Sequence, residues 1–152
     1  MVEYLKIIRE KLGHMPVVVS AASVIVENAE GEILLQLRND NKCWAYPGGG
    51  INVDETAEDA AVRELYEETG LKANIIQLLN VFSGKDMHHI YPNGDEVSNV
   101  DIVYICKDYT GELKPDYLES NELRFFSADN LPDNISPLAV RGLKAYISQR
   151  LN

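Results

Sequence analysis

The chain has only two cysteines and no long apolar segment. Cys43 and Cys106 stand far apart and lack metal-binding spacing. This favours reduced thiols, as in cytoplasmic proteins, over a disulfide. Residues 15–26 are the longest apolar stretch, but serines interrupt them and they are too short to span a bilayer. The first ten residues carry charges throughout, which argues against a signal peptide. We therefore expect a cytoplasmic protein without membrane contact.

Basic residues are also scarce. The chain has 14 Lys and Arg against 24 Asp and Glu, a net charge of −10. Such a charge argues against binding a nucleic-acid polymer or an anionic membrane. The 152 residues contain 45% hydrophobic and 25% charged residues, which is ordinary for one folded domain. No repeat or low-complexity segment divides the chain, so we expect a single domain over residues 1–152.

Apolar periodicity predicts a helix near each end. The first, at about residues 3–13, could pack on the domain or on a second subunit of a homodimer, and the sequence leaves both alternatives open. The second, at about residues 137–150, begins with Ser136 as N-cap and Pro137 at the first helical position. Its predicted core stripe has a helical spacing: Val140, Leu143, Ile147 and Leu151.

Strand-forming segments lie on both sides of a central helix. Residues 16–27 are predicted to be a strand buried on both faces, and Asn93-Gly94 predicts a hairpin between residues 88–91 and 97–106. The other predicted strands cover residues 32–38, 44–46, 74–82 and 123–126. This order indicates a layered α/β or α+β domain.

The central helix carries a cluster of acidic residues. Thr56 with Asp59 predicts its start, and Gly70 predicts a left-handed C-cap. On such a helix Glu64, Glu67 and Glu68 share one face, and their mutual repulsion costs roughly 0.2–0.5 kcal/mol per pair. A solvated acidic face is one interpretation. The other is a site for a hard divalent cation, Mg²⁺ first and Mn²⁺ second.

The wider spacing resembles the signature of the Nudix hydrolases. Gly49 to Leu71 fits the pattern G-x5-E-x7-R-E-U-x-E-E-x-G-U, with U aliphatic, and residues 44–49 resemble the family's lead-in. Asn52 and Asp54 depart from common usage at variable positions. The resemblance implies an α/β/α sandwich with a mixed sheet. It also implies hydrolysis of a nucleoside diphosphate linked to another moiety, with the ADP-ribose pyrophosphatase-like branch our first choice.

The same resemblance implies roles for residues of the signature. Glu64, Glu67 and Glu68 would be metal ligands, and Gly48 would add a backbone carbonyl. Arg63 and Glu55 would pair and orient the cluster. The general base differs within the family, so here it is either Glu64 or an acid on a late loop. Our candidates for that acid are Glu119 and then Glu122.

The signature does not specify the substrate. We expect a small-molecule nucleotide, an ADP-ribose-like sugar nucleotide first and a nucleoside triphosphate next. Arg38, at a strand end, is a candidate substrate contact, although it could equally be a solvated charge. The aromatic residues that could stack on a base, or belong to the core, are Tyr46, Phe82, Tyr91 and Tyr104, and Tyr91 is our choice among them.

Several polar residues allow both a structural and a functional interpretation. Adjacent His88 and His89 would point to opposite strand faces, which suggests a surface pair with a role in stacking as an alternative. Asp95, Glu96 and Asp101 are interpreted as solvated hairpin residues, with a direct role in substrate or metal binding as the less favoured alternative. Two further functions stay open: a non-catalytic Nudix-fold nucleotide sensor, and an acidic helix that binds proteins.

Overall fold

A computed structural model describes residues 3–151, so the ends of the expected domain, residues 1–2 and 152, lie outside the described part. The helices are α1 (Glu3–Leu12), α2 (Ala57–Thr69) and α3 (Pro137–Arg150), with a 3-10 turn at Lys85–Met87. The strands are β1 (Val17–Val26), β2 (Ile33–Arg38), β3 (Trp44–Ala45), β4 (Gly48–Gly50), β5 (Lys72–Phe82), β6 (His88–Ile90), β7 (Glu96–Thr110) and β8 (Ser120–Phe126). Among these residues no helix is both long and apolar enough to cross a membrane.

The strands form two sheets. The larger has the order β4-β1-β7-β5, with β6 also paired to β7, and the smaller has the order β3-β2-β8. Strands β1 and β7 run parallel over the whole length of β1, whereas the other pairs are antiparallel. The predicted hairpin of β6 and β7 is present, with His89 opposite Val97. The sheet is therefore mixed, as predicted.

The two longer helices cover opposite faces of the strands. Alternate residues of β1 and β7 form one core cluster with α2, in which Val24, Leu65 and Tyr104 are buried. The intervening residues form a second cluster with α3, in which Ile25, Val103 and Tyr146 are buried. Alternation of side chains along a strand supplies both faces. This arrangement confirms the expected α/β/α sandwich.

Helix α2 begins and ends as its sequence predicts. The Thr56 hydroxyl accepts a hydrogen bond from the Asp59 N–H at 3.1 Å, and Gly70 adopts a left-handed conformation with φ 79°. Tyr66 of this helix is exposed. Local capping chemistry thus fixes the length of the helix that carries the acidic residues.

Two packing predictions need correction. The core face of α3 is Ala139, Gly142, Leu143 and Tyr146. Of the predicted stripe only Leu143 is fully buried, while Leu151 is exposed. Strand β1 is buried on both faces only in its second half, and its residues in the core cluster with α2 begin at Ala22. The prediction for the cysteines is confirmed, since Cys43 and Cys106 are both free thiols.

Helix α1 packs on its own domain, one of the two alternatives that the sequence left open. Arg9 lies 3.7 Å from the Asp95 carboxylate, and it donates a hydrogen bond to the Glu96 carbonyl at 2.6 Å. His14, just after the helix, bonds Asp95 at 2.8 Å. These polar contacts attach α1 to the hairpin of β6 and β7, although none of its residues is fully buried. A homodimer stays a prediction.

Candidate active site

The glycine turn before α2 allows a very close approach between backbone and side chains. A Cβ at Gly48 would lie 2.2 Å from the Ser23 hydroxyl oxygen, and a Cβ at Gly49 would lie 2.6 Å from the Glu64 carboxyl carbon. Both distances are far below contact distance, so no larger residue fits without displacing its neighbour. The turn therefore places its backbone directly against the first acid of the cluster.

Arg63 gathers three of the signature acids. Its guanidinium holds Glu55 through two hydrogen bonds of 2.6 and 2.9 Å, and it also contacts Glu64 at 2.8 Å and Glu67 at 3.3 Å. A further bond of 3.1 Å reaches the Gly50 carbonyl. The hydrogen bonds that Arg63 donates to Glu55, and then to Glu64, raise the pKa of Arg63 above its usual value. The predicted pair of Arg63 and Glu55 is thus present, and it connects the helix to the glycine turn.

Glu68 is the most deeply buried acid of the cluster, with 1% of its surface exposed. Its Oε2 accepts hydrogen bonds from the Gln36 amide at 3.1 Å and from the Gly48 N–H at 2.9 Å. Its Oε1 is buried and has no hydrogen-bond donor among residues 3–151. The Glu119 carboxyl group lies beside the Glu68 carboxyl group. Burial, and then this second carboxyl group, raise the pKa of Glu68 well above its usual range.

The loop before β8 holds Glu119 firmly. The Asp116 carboxylate accepts hydrogen bonds from three successive N–H groups, those of residues 118, 119 and 120. The Glu119 carbonyl accepts a further bond from the Asn39 N–H at 2.8 Å. The second candidate, Glu122, instead pairs with Arg124 and does not line the cavity described below. The structure therefore brings Glu119 to the signature acids and leaves Glu122 apart.

The donor set at this place fits a hard divalent cation. Two carboxyl groups that face each other in a buried site need a proton or a cation between them. Glu68 Oε1 lacks a hydrogen-bond donor, and the neighbouring groups are oxygen ligands of the kind that Mg²⁺ and Mn²⁺ bind. Over residues 3–151 no three acids are yet arranged around one point, because Glu64 and Glu67 turn to Arg63.

A cavity of about 600 Å³ opens beside the cluster and includes Glu64, Glu119 and the glycine turn in its wall. Arg38 lines it and binds Asp40 through two hydrogen bonds of 2.9 and 2.8 Å, so Arg38 is not simply a solvated charge. Tyr91 also lines it, with the His89 ring against it at 4.8 Å between centroids. The strand-end arginine and the chosen aromatic thus lie in one cavity with the catalytic candidates.

The candidate aromatic and histidine residues divide into those that line the cavity and those that do not. Phe82 and Tyr104 are buried in the two core clusters and do not line the cavity. Tyr46 is buried but also contributes to the cavity wall. His88 pairs with Glu96 on the outside of the hairpin, whereas His89 faces the cavity. Opposite strand faces for the two histidines agree with the prediction.

Two acids of the hairpin are not the solvated residues that the sequence suggested. Asp95 is 8% exposed and binds Arg9 and His14. Asp101 is 7% exposed and accepts hydrogen bonds from the Ser23 hydroxyl at 2.7 Å and the Tyr46 hydroxyl at 3.4 Å. Burial raises the pKa of Asp101 to about 6. Solvation was the wrong expectation, because Arg9 and His14 engage Asp95, and Ser23 and Tyr46 engage Asp101.

Three residues of this region were not predicted. Gln36 interrupts the apolar run of β2 and supports Glu68, and a polar residue inside a buried strand could have signalled it. Asn99 and Arg9 line the cavity, and neither carries a local signal, because only the tertiary fold brings β7 and α1 to this place.

Comparisons with known proteins agree with this arrangement. The NUDIX domain family matches residues 18–147. An ADP-ribose pyrophosphatase of Methanocaldococcus jannaschii is 40% identical over 115 residues, which are 74% of this chain and 63% of the relative. The chain thus matches less than two thirds of that relative's length.

Solved structures show the same fold. A MutT NUDIX hydrolase from Burkholderia pseudomallei has a TM-score of 0.73 at 26% identity, covering 85% of this chain and 98% of its own. The NUDIX domain of Shewanella oneidensis NrtR, solved in complex with ADP ribose, has a TM-score of 0.73 at 15% identity and covers both chains completely. With the family match over residues 18–147 and the signature acids assembled beside one cavity, the chain belongs to the NUDIX family.

Proposed function

We propose that the protein hydrolyses the pyrophosphate linkage of a nucleoside diphosphate joined to a second moiety. The products would be a nucleoside monophosphate and the phosphorylated second moiety. One observation carries the proposal: Glu64 and Glu119 line a cavity large enough for a nucleotide beside the glycine turn, and the buried carboxyl group of Glu68 lies beside that of Glu119. An ADP-ribose-like sugar nucleotide is our first substrate class, supported by the name of the archaeal relative.

The acids would hold a divalent cation, Mg²⁺ in first place and Mn²⁺ as a substitute. We assign Glu64, Glu67 and Glu68 as its side-chain ligands and the Gly48 carbonyl as a backbone ligand. When bound, such an ion neutralises phosphate charge and lowers the pKa of a coordinated water. NUDIX hydrolases generally use divalent metal ions, and the buried oxygen of Glu68 that has no donor among residues 3–151 supports this assignment here.

The remaining residues bind, orient and accept the proton. Arg63, held by Glu55 through two hydrogen bonds, fixes the direction of the Glu64 carboxylate. Glu119 is our first candidate for the general base, because its loop is anchored and its carboxyl group faces the cluster. Glu64 is the second candidate. Arg38 and Tyr91 would contact the substrate from the cavity wall, the arginine through phosphate oxygens and the tyrosine through ring stacking.

The proposal is tested by turnover. Purified protein is incubated with Mg²⁺ and a panel containing ADP-ribose, other sugar nucleotides and nucleoside triphosphates, and the released phosphate esters are identified. We expect nucleoside monophosphate release that stops with EDTA and returns with added Mg²⁺. Turnover that is unaffected by EDTA would refute the mechanism. Tight nucleotide binding without any product would instead identify a nucleotide sensor, and neither binding nor turnover would refute both.

A further inference from the structure

The cavity has a mainly apolar floor that contains two buried polar side chains. Asn99 and Asp101 lie two residues apart on β7, so both point into the cavity, and they are 8% and 7% exposed. Val19 and Ala21 of β1 lie directly opposite them in the parallel pair. Burial of an amide and a carboxylate on such a floor is costly unless both find hydrogen-bond partners.

Each of the two side chains has unused hydrogen-bonding capacity. Asn99 Nδ2 is buried and has no acceptor within the described residues. Asp101 Oδ1 takes a short bond of 2.7 Å from Ser23, whereas Oδ2 has only the long bond of 3.4 Å from Tyr46. A carboxylate offers about four lone-pair positions. Among the described residues the pair thus presents the unpaired amide group of Asn99 beside Asp101 Oδ2, which can accept one further strong hydrogen bond.

The position of the pair suits the base of a nucleotide. Asp101 lies opposite Ala21, and Ala21 lies opposite Gly50 on the next strand. Two strand spacings, about 10 Å, separate the backbone of Asp101 from that of Gly50, but the Asp101 carboxylate approaches the turn more closely, because the Ser23 hydroxyl that binds it lies against Gly48. A ribose with its base spans the remaining distance when the phosphates lie with Glu64, which lies against the turn at Gly49 on the opposite face. Asn99 and Asp101 would then meet the edge of the base rather than the phosphates, which a carboxylate repels.

We propose that Asn99 and Asp101 recognise an adenine ring, an inference that rests on the proposed hydrolysis of a nucleotide. Asp101 Oδ2 accepts a hydrogen bond from the exocyclic amino group, and Asn99 Nδ2 donates one to a neighbouring ring nitrogen. Adenine presents one donor to the carboxylate, and Oδ2 has the capacity to accept one strong hydrogen bond. Guanine would bring two adjacent donors, and hypoxanthine would place a carbonyl oxygen against the carboxylate.

The test compares two substrates that differ only at this position of the ring. ADP-ribose carries the amino group and its hypoxanthine analogue, IDP-ribose, carries a carbonyl. We expect wild-type protein to prefer ADP-ribose by about 10²-fold or more in kcat/KM, because the analogue leaves buried groups unpaired. Asp101→Asn, whose amide can also donate, should reduce that preference at least tenfold, mainly through KM.

A matched control comes from the same cavity. Asp95→Asn removes another buried carboxylate of the wall, but Asp95 is already engaged by Arg9 and His14. We expect this variant to keep the wild-type preference for ADP-ribose. Circular dichroism establishes that both variants are folded. An unchanged preference in Asp101→Asn, or an equal loss of preference in Asp95→Asn, would overturn the assignment.

Binding separates this inference from the proposed hydrolysis. The affinities of AMP, IMP and GMP are measured by calorimetry with wild-type protein and with Asp101→Asn. A preference for AMP that disappears in the variant supports base recognition even where no turnover occurs. Turnover without base discrimination leaves hydrolysis intact and refutes the inference. GMP binding as tight as AMP binding would also refute the assignment to adenine.

Discussion

Two buried acidic places lie at the same cavity, the first around Glu119 and Glu68 and the second around Asp101. They differ in what surrounds each carboxyl group. Glu68 faces another carboxyl group, that of Glu119, and one of its oxygens has no donor within residues 3–151. Asp101 faces hydroxyl donors of Ser23 and Tyr46. The pKa of Asp101 rises through burial, and its two hydrogen bonds oppose the rise. Repulsion between acids calls for a cation at the first place, whereas spare acceptor capacity calls for a neutral donor at the second.

This difference predicts separate consequences for catalysis, specificity and stability. Removing charge beside Glu119 should affect turnover while sparing the fold, since the charges there repel one another. Removing charge at Asp101 should affect substrate choice and the pH dependence of stability. Variants of the two places therefore test whether the distinction is real.

The largest effect is expected for Glu68→Gln. It removes a proposed ligand charge, so kcat should fall by roughly 10²–10⁴. The free energy of unfolding without metal should stay level or rise by up to about 1 kcal/mol, because repulsion with Glu119 is relieved. Steady-state kinetics and urea unfolding measure the two quantities. The exposed acid Glu112 gives a control variant, Glu112→Gln. An active Glu68→Gln protein, or an unfolded one, would contradict a functional role.

Glu119→Gln should lower kcat by roughly 10²–10⁴ with little change in KM if Glu119 is the general base. The acidic limb of the kcat–pH profile should then flatten. Glu122→Gln serves as the control, since Glu122 does not line the cavity. A change in kcat below about twofold would move the role of base to Glu64. Weaker Mg²⁺ binding with an unchanged pH profile would identify Glu119 as a metal ligand.

The stability of the protein should depend on pH through Asp101. Its pKa is about 6 in the folded protein against an ordinary value of 3.8, so the folded state binds the proton more tightly. Its contribution to stability is therefore greatest below about pH 4 and is lost as the pH rises to about 6, by up to about 3 kcal/mol. Urea unfolding of wild type and Asp101→Asn from pH 4 to 7.5 should reveal a difference that grows with pH. A difference that is constant over this range would contradict the burial argument.

The smallest effect is expected at Gly142 of α3, which lies against Tyr46, a hydrogen-bond donor to Asp101. A Cβ at Gly142 would lie 2.4 Å from the Tyr46 hydroxyl oxygen, so Gly142→Ala should destabilise the protein by about 1–3 kcal/mol. Tyr46→Phe removes that oxygen, and the same substitution should cost less in this background. Urea unfolding of the two single variants and the double variant measures the coupling. The exposed position 148 provides a control, Ser148→Ala. Additive effects would show that the contact is not limiting.

Local sequence patterns were sufficient to predict the helix that carries the acids of the first place. Thr56, Gly70 and the spacing of Glu64, Glu67 and Glu68 predicted the limits of α2 and its acidic face, and the structure confirms these limits. Caps and helical periodicity depend on neighbours three or four residues away, so they can be read from a short segment. The sequence did not predict how far each acid is buried: Glu68 is buried, whereas Glu67 is exposed.

The second place could not be predicted in this way. Asp101 was interpreted as solvated, because its segment resembles a hairpin and the sequence does not show that Ser23 and Tyr46 bind it. The core face of α3 was misplaced for a similar reason. Gly142 and Tyr146 face the core because Tyr46 and the sheet occupy that side, and the stripe of larger apolar residues suggested a different face.

The sequence by itself determined the family and the layered order of helices and strands, and it supplied the acids that we propose as metal ligands, since these depend on spacing within short segments. Tertiary structure alone decided which distant groups meet: Glu119 with Glu68, Asp101 with Ser23 and Tyr46, and α1 with the hairpin. Burial and hydrogen-bond partners arise from strands paired across as many as 93 residues of chain, as for Ile33 and Phe126. The pKa of a carboxyl group, and with it the chemistry available to it, follows from that environment.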